Sequence, residues 1–264
     1  MVLEKFIHPY HMVNMSPWPL LSGFGGLTMV TGMIKLFMFF EVDLLLSSFM
    51  LLFIVAMLWW RDVIRESTYQ GYHSSVVLSG LMVGMVLFII SEIFFFFSFF
   101  WGFFHSSLSP TIELGSQWPP LGVIPFNPFQ VPLLNTIILL ASGVSVTWAH
   151  QMILGENWEK MKVSLMVTWM LGLYFLMLQG FEYFMSTFNI SDYVFGSTFF
   201  MATGFHGFHV IVGTLFLFII WFRSVKGHFS NSHHFGFEAA AWYWHFVDVV
   251  WLFLFSVVYW WGTW

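Results

Sequence analysis

The sequence predicts an all-α integral membrane protein with seven transmembrane helices. Composition is the first reason: 59% of the 264 residues are hydrophobic and only 8% are charged, against roughly 25% charged in an average soluble domain. Length is the second. Several stretches reach the roughly 20 apolar residues that a membrane crossing needs, some with no charge at all. Charge placement is the third. When the stretches are threaded back and forth across a membrane, seven of the eight Lys and Arg residues fall on one side. Strands are disfavoured, because the alternating pattern of a membrane barrel is missing and helices pair their own backbone groups in lipid.

Taken in order, the apolar segments lie at about 16–38, 42–60, 75–104, 129–152, 163–185, 193–222 and 236–261. The third is about 30 residues long. That is more than a hydrocarbon core requires and implies tilt or an extension beyond it. Lys5, Arg61, Arg65, Lys160, Lys162, Arg223 and Lys226 then share the side of the N-terminus, with Lys35 alone opposite. Cations are retained on the side of insertion, so the N-terminus faces that compartment and the C-terminus faces away. Trp18, Trp59, Trp60, Trp118, Trp148, Trp158, Trp260 and Trp261 all fall near expected helix ends, where indoles favour the interface. The polar connection 105–128 holds five prolines, Pro110, Pro119, Pro120, Pro125 and Pro128. It reads as an extended, ordered loop over the helix ends. The whole of 1–264 is expected to be one membrane domain with no soluble module.

Composition also excludes. With no cysteine, disulfides, thiolate nucleophiles and Cys-bound metals are out of reach. The net charge of −5 is spread thinly, and no basic tract points to nucleic acid. No cleavable presequence stands out in the first fifteen residues. The 36 Phe residues read best as coding bias that exchanges one large apolar side chain for another.

Ionisable groups within a bilayer are expensive and are the natural functional candidates. Glu92 sits near the middle of the third segment beside a Phe run. It is expected to be a shielded, protonated acid, either exchanging protons or meeting a partner, or bonded to a neighbouring helix. His206 and His209, and likewise His245 and Asp248, are three residues apart, so each pair shares a helix face. Imidazoles suggest a metal or haem, but no third or fourth ligand is legible, and polar bridging between helices is the commoner use. Glu182, near the end of the fifth segment, takes the same structural reading. No catalytic residue and no metal site are assigned. Residues 59–71 read WWRDVIRESTYQG, with His73 just beyond. Indoles beside Arg61 and Arg65 suit the acyl boundary and phosphate of a lipid headgroup, or simply flanking positive charge.

Five strings give the chain a family resemblance: WWRDVIRESTYQG (59–71), SEIFFFFSFFWGFFHSSLSP (91–110), VPLLNTIILLASGVSVTWAH (131–150), STFFMATGFHGFHVIVG (197–213) and HHFGFEAAAWYWHFVDVVWLFLF (233–255). With HPYHMVNMSPWPL (8–20) before them, they closely resemble cytochrome c oxidase subunit III of the mitochondrial type over nearly the whole chain. The resemblance implies two helix groups separated by a V-shaped cleft that holds phospholipid. The first group has helices at about 16–38 and 42–66; the second has helices at about 73–105, 129–152, 156–185, 191–223 and 233–261. It implies a multi-pass protein of the mitochondrial inner membrane with its N-terminus in the matrix and its C-terminus towards the intermembrane space. Subunit I is the implied main contact among the oxidase subunits. Haem a and copper belong to partner subunits, and this chain binds no cofactor beyond structural phospholipids. The family's intramembrane carboxyl falls on Glu92. Its lipid-binding residues fall on Trp60, Arg65, Glu66 and His73, with Arg223 nearby; Tyr72 stands where related chains often carry His.

The implied function is that of a non-catalytic core subunit. It supports assembly, stability, lipid binding and sustained proton uptake in the oxidase that passes electrons from cytochrome c to oxygen and pumps protons. A stand-alone proton-coupled transporter using Glu92 and Glu182 would need a wet cavity at Glu92, where the Phe run favours a dry one. No internal repeat supports it either. A retinal protein needs a Schiff-base lysine in the last helix, and 236–264 has no Lys. A haem-binding subunit would show a Soret band in the isolated chain.

Overall fold

A computed structural model describes residues 8–112 and 115–263; Lys5, counted above among the one-sided cations, lies outside them. Seven helices are long and apolar enough to cross a membrane: α1 Trp18–Phe39, α2 Asp43–Thr68, α3 Ser75–Ser107, α4 Val131–Leu154, α5 Trp158–Phe184, α6 Tyr193–Val225 and α7 Phe235–Leu254. After α7 the chain continues as a π-helical turn, Phe255–Trp260, and a short 3-10 turn to Thr263. No strand occurs among the described residues.

The chain forms two compact units, Met1–Leu81 and Met82–Trp264. In the first, α1 and α2 make an antiparallel hairpin. Phe40 closes α1 in the left-handed region at φ 57°, and its N–H bonds the Leu36 carbonyl at 2.9 Å. Two glycines let the helices touch. A methyl group on Gly32 would stand 2.8 Å from the backbone nitrogen of Leu45, and one on Gly25 would stand 2.8 Å from Leu52 Cδ2. Close approach through small residues is how helices associate where lipid removes the hydrophobic drive between them. Lys35, near the end of α1, is clamped by Glu41 at 2.6 Å and Asp43 at 3.0 Å.

The charged run at 59–68 lies beyond the apolar segment but forms the last turns of α2. Arg, Glu and Trp sustain a helix well enough, so loss of hydropathy marks where the helix leaves the apolar layer, not where it ends. Similarly, α5 starts at Trp158, five residues ahead of its apolar stretch, because the Asn157 side chain caps it by accepting from the Lys160 N–H at 3.2 Å.

In the second unit α4, α5, α6 and α7 form a ring in which each contacts the next and α7 closes back on α4. Its centre is filled by Trp244, Trp251, Phe175, Leu165 and Tyr259. Several polar side chains inside are paired across helices. The indole N–H of Trp244 donates to Ser142 Oγ at 2.9 Å, that of Trp251 donates to Thr136 Oγ1 at 3.0 Å, and Ser145 and Thr168 share a hydroxyl bond at 2.8 Å. Each such bond contributes about 0.6 kcal/mol on average between membrane helices. Helix α3 leans on this ring through Phe95 against Phe205 (5.1 Å between centroids) and Phe96 against Phe246 (6.1 Å). The proline-rich connection packs inward rather than trailing. Trp118 lies edge-on to Phe103 at 5.4 Å, Phe126 meets Phe199 at 5.7 Å, and Thr187 Oγ1 donates to the Ile124 carbonyl at 2.8 Å.

Candidate functional site

Two sets of residues carry chemistry, one in each unit. In the first unit the lower turns of α2 and the stretch before α1 fold onto one another. The Trp18 indole donates to Asp62 Oδ2 at 2.7 Å, and Ser74 Oγ donates to the Pro9 carbonyl at 2.6 Å. His11 Nε2 lies 3.2 Å from Glu66 Oε2, while its ring meets Tyr72 at 5.3 Å and His73 at 6.0 Å. Glu66 is thereby committed within the chain. Arg61 contacts Asp62 at 3.0 Å, but Arg65 reaches it only at 3.9 Å and remains 56% exposed. Trp60, on the same stretch of α2, is 61% exposed. An exposed guanidinium and an exposed indole on the last turns of α2 have the chemistry of a headgroup site: a fork of donors for phosphate and a surface for acyl chain.

In the second unit Glu92 is half-buried on α3, and its Oε2 lies 3.0 Å from His209 Nε2 on α6. His209 Nδ1 is 2.7 Å from the Phe205 carbonyl, an obligate acceptor. That nitrogen therefore carries hydrogen, and a neutral ring then offers Nε2 as an acceptor. A neutral ring would accept a hydrogen from the Glu92 carboxyl at this contact, and an imidazolium would donate one to it. Phe95 and Phe96 border the pair at 6.0 and 4.9 Å from the imidazole.

His206, three residues earlier, does not join His209. It is fully buried, and its Nε2 contacts the Val247 carbonyl on α7 at 3.2 Å. The two imidazoles thus answer to different helices and do not form a chelating pair. His245 and Asp248 are 3.9 Å apart; His245 reaches Thr147 Oγ1 at 3.5 Å, and Asp248 presses against Gly143 of α4, where an added Cβ would be 2.8 Å from its Oδ2. Glu182 is 2% exposed. It accepts from the Tyr259 hydroxyl at 2.6 Å and from Gln179 at 3.5 Å, and Gln179 accepts in turn from Asn135 at 3.5 Å. A cavity of about 270 Å³ is lined by Phe126, Gln130, Phe181, Met185 and Glu182 among others. Arg223 lies 4.6 Å over the Phe229 ring. Nearby His228 lies outside the helices. Its pKa is held below the usual histidine value, first by burial and then by the charges of Arg223 and Lys226.

Several of these partners had no sequence signal. His11 and Glu66 are 55 positions apart, Glu92 and His209 are 117 apart, and Glu182 and Tyr259 are 77 apart. The i,i+3 rule finds neighbours on one helix and is silent on which helix faces which.

The comparisons with known proteins point one way. The family model for cytochrome c oxidase subunit III matches residues 8–263. The cytochrome c oxidase subunit 3 of Drosophila melanogaster is 57% identical over 255 residues, covering 97% of each chain. That of the lemur Lemur catta is 60% identical over 257 residues, covering 97% of this chain and 93% of its own. That of the hagfish Myxine glutinosa is 57% identical over 261 residues, covering 99% of this chain and 100% of its own. Seven spanning helices and this identity along the whole length place the chain in the cytochrome c oxidase subunit III family, as a multi-pass inner-membrane subunit of the mitochondrial-type oxidase.

Proposed function

We propose that the chain is a core subunit whose work is physical rather than redox. It supports assembly and stability of the oxidase, binds phospholipid, and sustains proton uptake while the complex moves electrons from cytochrome c to oxygen. Subunit I is its main partner, and haem a and copper reside in partner subunits. The N-terminus faces the matrix and the C-terminus the intermembrane space. Trp60, Arg65, Glu66 and His73 hold a phospholipid headgroup, Arg223 supplies a further cation on the same side, and the lipid-holding V-shaped cleft is part of this proposal.

The observation that carries this reading is what the helices leave uncovered. In the most apolar 18-residue window of α3 no residue is buried within the chain, and in those of α1 and α2 only 11% are. Phe94, Phe97 and Trp101 on α3 are 69%, 64% and 61% exposed. Apolar surface on this scale calls for lipid or a neighbouring membrane subunit. Buried Glu182, His206 and His209, by contrast, make bonds between helices. Glu92, bonded to His209 at 3.0 Å, ties α3 to α6.

The lipid role is tested with Arg65→Gln and His73→Gln combined, in the purified oxidase. Native mass analysis should show lower occupancy of bound phospholipid than in the parent complex. Equal occupancy would refute the headgroup assignment while leaving the family membership untouched.

A further inference from the structure

One cluster lies apart from every residue discussed so far. His150 sits one turn from the carboxyl end of α4, His234 is the residue just before α7, and Glu238 is in the first turn of α7. One ligand atom from each lies within 4.8 Å of the others. His234 and Glu238 are four apart, hence on one face of the helix, and α4 packs against α7. The His150 ring stands 5.8 Å from that of His234 and 5.6 Å from Phe237.

The hydrogen-bond geometry inside the cluster is unsatisfied in a specific way. His234 Nδ1 is 3.0 Å from the Ser230 carbonyl, so it carries the hydrogen. Its Nε2 lone pair then faces Glu238 Oε1 at 3.2 Å. A lone pair against a carboxylate oxygen is repulsive unless a proton or a cation lies between them. A proton alone suffices at Glu92 and His209, where only two groups meet. Here a third donor converges, and a ring nitrogen fixed by a backbone carbonyl on its far side is how protein imidazoles are oriented towards a metal.

We infer that His150, His234 and Glu238 form a binding site for a zinc-like divalent cation, with its fourth position open. Two imidazoles and one carboxylate suit zinc, which binds nitrogen and oxygen donors at about 2.0–2.2 Å in a tetrahedron. Donors in such a tetrahedron stand about 3.3 Å apart. The His234–Glu238 separation of 3.2 Å already matches, and the half-buried His150 has a short distance to close. The surroundings are tied in place. The Asn231 side chain donates to Glu156 Oε1 at 2.5 Å and so links the connection after α6 to the one after α4. The carboxyl end of α4 favours a cation, and the amino end of α7 favours the Glu238 anion. His234 is buried while His150 and Glu238 are half-buried, so the site is open on one side.

The test uses the intact purified oxidase, stripped with a chelator, equilibrated with zinc alone and washed free of unbound metal. Zinc per complex is measured by mass spectrometry for the parent and for His150→Gln and Glu238→Gln. Each variant is expected to hold about one zinc fewer per complex, with the remaining affinity at that site lowered tenfold or more. X-ray absorption of the zinc taken up by the parent should show imidazole scattering from two ligands plus oxygen. Equal zinc in parent and variants overturns the assignment. If neither variant assembles, the parent spectrum decides, and a spectrum without imidazole scattering overturns it.

Discussion

Glu92 meets an imidazole whose far nitrogen is already committed on another helix. His209 donates from Nδ1 to Phe205 and presents Nε2 to Glu92 at 3.0 Å. The ionised alternative would set two charges in a medium that desolvates both. Isotope-edited infrared spectra of the oxidase at neutral pH should therefore show a protonated carboxyl stretch that disappears in Glu92→Gln; carboxylate bands alone would refute it. Glu182 is buried more deeply, with Oε1 accepting from Tyr259 and Gln179 and Oε2 left without a partner. Tyr259→Phe removes the 2.6 Å hydroxyl donor and leaves a buried acceptor short of a partner, at a cost of about 1–3 kcal/mol. The thermal unfolding midpoint of the assembled complex should fall in Tyr259→Phe, and no change would mean that Gln179 suffices. The positions of both acids were legible from the sequence, since a lone charge in an apolar run is conspicuous. Their partners were not, because a hydrogen bond between helices leaves no trace in the spacing along either one.

The α1–α2 hairpin shows the same division among whole elements. Both helices were legible from their apolar length, but which glycines hold them together was not. Gly23 and Gly32 look alike in sequence, yet a Cβ on Gly23 meets nothing within 4 Å while one on Gly32 strikes the Leu45 backbone at 2.8 Å. Backbone cannot yield as a side chain can. Gly32→Val should destabilise the hairpin by about 1–3 kcal/mol, and Gly23→Ala should be neutral or stabilising by up to about 1 kcal/mol. Yield and thermal resistance of the assembled oxidase report both. Equal behaviour of the two would argue against close α1–α2 packing through Gly32. The reach of α2 to Thr68 was equally hidden in part. Hydropathy reports the membrane boundary, whereas helix termination depends on backbone geometry and capping.

For the molecule as a whole, orientation is the property most directly open to test. The chain has no cysteine, so an introduced thiol is the only one it carries. Lys226→Cys, after α6, should react with an impermeant reagent from the matrix side. Ser186→Cys, after α5, should react only from the intermembrane side. Reversed labelling would overturn the orientation inferred from the cations. By itself the sequence determined the class of protein, the number of spans and the family, because hydropathy, charge asymmetry and long matching strings are all local properties of a chain. Tertiary structure alone decided that His209 rather than His206 meets Glu92, that Tyr259 serves Glu182, and that His150 converges with His234 and Glu238. The physical reason is that lipid leaves helices free to rotate about their own axes until packing and polar contacts select one face, and the selected face is a relation between helices rather than a property of either.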